Sequence, residues 1–169
     1  MTTRSKSFLR RALAIGSLVA VMGVAPAVVK DQAQVAIAQT ANFPGLSISF
    51  PPRDARVNGR TTGTYSLANI ARTDKNGNPC VGFGDSNPDH IIILETDFPT
   101  LRLTVDSGQD TTLLVQGPND NTIRCGQDIS RSNPDAQISD TNLPAGTYRV
   151  WVGSHNQGQR FSYTLSATE

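Results

Sequence analysis

Two histidines, two cysteines and a scatter of aspartates are the side chains of this 169-residue chain from which chemistry could be built. Nucleophilic catalysis needs a nucleophile beside a base, with a third group holding the base. Ser86, Asp89 and His90 can be drawn as such a set. However, His90 opens a short β-branched run, His90 to Leu94, and a residue in that place reads as structural. Neither His90 nor His155 lies in a G-x-S-x-G elbow, and the HExxH and C-x-x-C spacings of zinc and thiol redox centres are missing. Gly82-Phe83-Gly84 lacks the further glycine and the helix of a phosphate loop. The expectation is a protein that is not an enzyme.

Calcium is the better metal candidate, because it takes six or more oxygens and several loops are rich in them. Asp74-Lys75-Asn76-Gly77-Asn78 resembles the first half of a calcium loop, and Asp85 stands at closing distance. Its glycine is out of place and an Asp is shorter than the usual bidentate Glu; a plain Asn-Gly turn accounts for the same residues. Asp110, Asp120, Asp128 and Asp135 make a second oxygen-rich set, provided the fold gathers them at one end. No other cofactor is expected.

Alternation places Trp151 and Arg149 on one side of a strand, opposite Tyr148, Val150 and Val152. If those three face a core, Trp151 stands at the surface beside a cation, which is how a β-sandwich grips sugars or extended peptides. Packing of Trp151 under a loop is the alternative.

The elements that would position these residues begin with an export signal. Arg4, Lys6, Arg10 and Arg11 precede an apolar stretch from Ala12 to Val29, and Ala36 and Ala38 put small residues ahead of Gln39. This predicts a cleaved signal peptide over 1–38 rather than a membrane anchor. Removing it takes 5 of the 15 Lys and Arg and 1 of the 14 Asp and Glu, leaving 10 against 13, a net of −3 with Lys75 as the one lysine. That balance argues against nucleic acid and anionic membrane as partners. In a periplasmic or extracellular chain, Cys80 and Cys125 read as a structural disulfide.

After a loose leader over 39–45, residues 46–169 read as one all-β domain. Leu46 to Phe50, Leu101 to Val105, Tyr148 to Val152 and Phe161 to Ala167 alternate apolar and polar, and Thr111 to Val115 is β-rich. Asn58-Gly59 and Asn76-Gly77 read as turns, Gly117 to Asn121 as a hairpin gap, and Pro144-Ala145-Gly146 as the turn that launches a last hairpin. Short strands at this spacing predict an antiparallel β-sandwich with a jelly-roll-like or Greek-key path.

Asp110 to Val115, Gly117-Pro118, Cys125 with Asp128, and Leu143-Pro144-Ala145-Gly146-Thr147-Tyr148-Arg149-Val150-Trp151-Val152-Gly153 resemble the bacterial pre-peptidase C-terminal domains. These are β-sandwich modules found beside exported enzymes. The resemblance covers about 90–167; the chain has Gly126-Gln127-Asp128 where such domains often carry acidic residues. It implies a sandwich fold and an accessory role rather than a reaction. The expected function is a non-enzymatic exported module that binds protein or polysaccharide at the cell envelope or outside. A calcium-stabilised accessory domain of a secreted enzyme system is the alternative, and a small hydrolase the third reading.

Overall fold

The computed structural model describes residues 41–118 and 122–169. The expected signal peptide and Asp120 lie outside the described residues. In chain order the strands are β1 (Leu46–Ile48), β2 (Arg56–Arg60), β3 (Tyr65–Ser66), β4 (Phe83–Gly84), β5 (His90–Leu94), β6 (Phe98–Asp106), β7 (Thr111–Gln116), β8 (Ile123–Ser130), β9 (Asn133–Leu143), β10 (Gly146–Ser154) and β11 (Ser162–Thr168). One 3-10 turn, Leu67–Asn69, follows β3.

The strands pair in the order β1-β5-β10-β7-β8-β9-β6-β11-β2, with β4 on the end of β10 and β3 on β4. β8 turns the corner. Its first half, to Gly126, pairs with β7 and its second half, from Gln127, with β9, where the register shifts between Asp128 and Ser130. One continuous ribbon thus folds into two layers: a front sheet of β1, β5, β10, β7 and early β8, and a back sheet of late β8, β9, β6, β11 and β2. β6 returns beside β9 although β7 and β8 intervene in the chain, which is a Greek-key path.

The alternation read from the sequence does its expected work inside. Ile92, Leu94, Leu113, Val115, Val150 and Val152 face Leu101, Leu103, Val105, Ile138 and Leu165 across the sandwich. Truncating any of these large aliphatic side chains to alanine removes about 2–5 kcal/mol.

The all-β sandwich is as the sequence predicts, and four details differ. The sandwich is not wholly antiparallel: β1 runs parallel to β5, Leu46 opposite Ile92, because the chain crosses to the back sheet between them. Asn58-Gly59 is not a turn but the middle of β2, paired with Thr164 and Tyr163. A Cβ at Gly59 would stand 2.3 Å from the Tyr163 hydroxyl, so the glycine serves close packing. β10 and β11 form no hairpin, since they belong to different sheets. Finally, the leader is tied down over 42–44: the Asn42 and Phe43 N–H groups donate to the carbonyls of Pro88 and Asp89, each at 2.9 Å.

Candidate functional site

Trp151 does not form an exposed platform. It is 4% exposed and packs with Leu67, Leu114, Ile123 and Cys80 in a second apolar cluster on the outer side of the front sheet. The segment from Thr61 to Pro88 folds over that side, and Trp151 Nε1 donates to the Ser86 carbonyl at 3.4 Å. A Cβ at Gly153 would meet Thr112, Phe83 and Leu67 within 3.0 Å, so the glycine lets the cover lie on β10. The Cys80–Cys125 disulfide, Cα atoms 5.3 Å apart, staples the cover to β8. Arg149 remains exposed on β10, without the indole beside it at the surface.

Ser86, Asp89 and His90 are not assembled for catalysis. The Pro44 carbonyl can only accept, so His90 Nδ1 carries the proton and donates to it at 2.8 Å; Nε2 then accepts from the Tyr163 hydroxyl, also at 2.8 Å. This links the two sheets through the interior. Burial holds the imidazole below its ordinary pKa and pushes the Tyr163 phenol well above its own. Asp89 projects the other way. It is 1% exposed, accepts the Val152 N–H at 2.8 Å and Asn42 Nδ2 at 3.2 Å, and burial raises its pKa to about 7. Ser86 Oγ leans toward Asp85.

The oxygen-rich residues are dispersed. Asp74 accepts the N–H groups of Asn76 and Asn78 at 2.8 Å each and Asn78 Nδ2 at 3.1 Å, which closes a turn. Burial works upward on its pKa, but these bonds, with one from the Cys125 amide, outweigh it and hold the carboxyl low. Asp85 instead turns the loop before β5, accepting the Asn87 N–H at 2.9 Å. Asp135 is buried and caps the β6–β7 turn through the amides of Ser107 and Gly108. Asp110 faces His155 at 3.9 Å, and Asp128 is exposed on β8. Among the described residues no three His, Cys, Asp or Glu side chains form a group that could hold a metal.

One charged cluster went unread in the sequence. Arg124, 5% exposed, donates from Nε to Asp140 and from Nη1 to the Gly117 carbonyl at 3.1 Å, with its guanidinium 5.8 Å from the Tyr148 ring centre. Lys75 joins the same Asp140 oxygen at 2.5 Å. Burial raises the Asp140 pKa, and the two cations and the Thr141 amide more than offset it. The charges are thus mutually consumed in fastening the Lys75 loop to β8 and β9.

The back sheet's outer side differs from all of this. No described segment crosses it. Thr100, Arg102, Thr104 and Asp106 on β6 stand between Gln137, Ser139 and Thr141 on β9 and Ser162, Thr164, Ser166 and Thr168 on β11, with Arg56, Asn58 and Arg60 beyond on β2. Every outward side chain of these strands in that region is polar, and most are exposed. Gln137 Nε2 donates to Thr104 Oγ1 at 3.1 Å and Thr164 Oγ1 to Asn58 Oδ1 at 2.9 Å, so rows of hydroxyl and amide groups are held across the sheet. Alternation in β6 and β11 was the signal for this face; β2 and β9, which complete it, were not read as strands.

No family model matches the chain, and no curated protein matches it. Solved structures do. The pre-peptidase C-terminal domain of collagenase from Bacillus anthracis is 13% identical, with a TM-score of 0.43, covering 75% of this chain and 99% of that one. PliG from Aeromonas hydrophila, a periplasmic inhibitor of g-type lysozyme, is 13% identical with a TM-score of 0.38, covering 73% of this chain and 95% of that one. The resemblance read from residues 90–167 thus has a domain of the same kind among the similar structures. No helix among the described residues is long and apolar enough to cross a membrane.

Proposed function

We propose that this chain is an exported, non-enzymatic binding module, working in the periplasm or outside the cell, that holds a protein or polysaccharide on the open face of its back sheet. One observation carries the reading: the Thr61–Pro88 segment covers one outer face, while no described segment covers the other, which is lined by side chains able to donate and accept hydrogen bonds. The buried polar side chains His90, Asp89, Asp135 and Arg124 are bound up in holding the fold, which supports a role without turnover. Export is supported by the N-terminal signal pattern and by the disulfide.

The test is co-sedimentation of the purified protein with two envelope fractions, one stripped to polysaccharide and one of immobilised envelope proteins. Wild type is expected to bind one fraction, and Ser139→Trp with Ser162→Trp, which crowd the open face, to abolish that binding without lowering the melting temperature. Wild type that stays in solution with both fractions, or a crowded variant that binds as well, overturns the reading.

A further inference from the structure

Resting on that reading, we infer that the ligand of the open face is an anionic polysaccharide. Charge is the first reason. Arg56, Arg60 and Arg102 point outward from the back sheet against one carboxylate, Asp106, and none of the three arginines pairs with a described residue. In the chain flanking β2 and β11, Arg53 and Arg160 are matched in number by Asp54 and Glu169. The face is therefore cationic, on a chain whose net charge after loss of residues 1–38 is −3.

Spacing is the second reason. Arg56 lies opposite Ser166, which lies opposite Thr104, two residues from Arg102. With strands about 4.8 Å apart and about 3.3 Å per residue, Arg56 stands roughly 12 Å from Arg102 and 13 Å from Arg60. Arg60 and Arg102 lie farthest apart, roughly 22 Å along the backbone lattice and beyond the joint reach of two arginine side chains, so the three do not converge on one phosphate or carboxylate. They suit a polymer that carries a negative charge at intervals.

The ground between the arginines decides which polymer. It holds Thr104, Thr164, Ser166 and Asn58, neutral groups that exchange hydrogen bonds with sugar hydroxyls and ring oxygens. Among the described residues the strands of this face carry no outward aromatic, and half-buried Phe43 stands only at its Arg60 corner, so the row of stacking rings that single-stranded nucleic acid would use is missing. The face also lacks the apolar centre of a protein interface.

The experiment is affinity electrophoresis of the purified protein in gels containing polygalacturonate, dextran or poly-glutamate. Retardation by polygalacturonate alone is expected, disappearing in high salt as exposed charges are screened. Arg56→Gln, Arg60→Gln and Arg102→Gln together should weaken it about tenfold, the sum of three exposed charge contacts. Asp106→Asn should strengthen it. Unchanged melting temperatures show that the variants are folded. Equal retardation by dextran and polygalacturonate, or a triple variant retarded as strongly as wild type, removes the charge inference and leaves a polysaccharide-binding module standing. Preference for poly-glutamate assigns the face to an acidic protein instead. No retardation by any polymer removes the polysaccharide altogether, and the co-sedimentation test then decides whether the binding module survives.

Discussion

The two outer faces of this sandwich are built on the same alternating strands and end in opposite states. On the front sheet, Leu114, Trp151 and Ile123 point outward, and a long loop must come to cover them. On the back sheet the corresponding places hold Thr, Ser, Asn and Arg, and no described segment covers them. A face is sheltered where its side chains cannot stay in water at tolerable cost. The bare face is therefore informative, since nothing in the folding of the domain demands three arginines there.

The largest expected contrast comes from truncating one outward residue on each face. Trp151→Ala should cost about 3–5 kcal/mol, because it empties the centre of the second cluster. Thr164→Val on the back sheet should stay within about 0.5 kcal/mol. Denaturant unfolding of both variants checks this, and similar losses would erase the distinction between the faces.

Removing the staple comes next. Cys80→Ser with Cys125→Ser should cost about 2–4 kcal/mol. The loss should fall first on the cover: Trp151 fluorescence should shift to the red at temperatures where back-sheet amides remain protected from hydrogen exchange. Simultaneous loss of both signals would show that cover and sandwich are one cooperative unit.

Titration separates the covered face from the interior. Asp89, on the covered side, has a pKa of about 7 against 3.8 for an ordinary Asp, so the folded chain holds its proton more tightly. Its stabilising effect is complete below 3.8 and is lost as pH rises through 7. His90, inside, has a pKa lowered from 6.5, so its contribution is present above 6.5 and is lost as pH falls below it. Each limb approaches about 1.4 kcal/mol per pH unit. The wild type should therefore gain stability from pH 8 to about 6.5 and then change little, as the two limbs oppose each other. Asp89→Asn should abolish the gain and expose the loss on further acidification. Melting temperatures of both proteins across this range test it; parallel curves would mean that Asp89 does not titrate where burial places it.

The smallest effect concerns calcium. Asp74 already accepts three bonds from Asn76 and Asn78, and Asp135 holds the β6–β7 turn, so added calcium should shift the melting temperature by less than the scatter of replicate melts. A clear upward shift would revive the calcium-stabilised reading, with Asp74→Ala as the variant to remove it.

Much of the interior was legible in advance. His90 to Leu94, Leu101 to Val105, Thr111 to Val115 and Phe161 to Ala167 fall on β5, β6, β7 and β11, because a strand with one or both faces in a core shows it in its own residues. The edge was not legible. Arg56-Val57-Asn58-Gly59-Arg60 offers weak alternation and a turn dipeptide, and it becomes β2 because β11 presents a ladder and Tyr163 needs room. Late β8 and β9, rich in Ser, Asn and Asp, are likewise strands through their pairing with each other and with β6.

By itself, then, the sequence determined the all-β class, the inward side of most strands, the Asn76-Gly77 turn, and two cysteines suited to bonding. These depend on neighbours along the chain, and a period of two residues is visible in any short window. Only the tertiary structure decided that Trp151 is buried, that His90 reaches Tyr163, that Asp89 is shut away with a raised pKa, and that the three arginines share one bare face. Each of those depends on which distant segment arrives to lie against a strand, and no local pattern records the arrival of the Thr61–Pro88 cover on one face or its absence from the other.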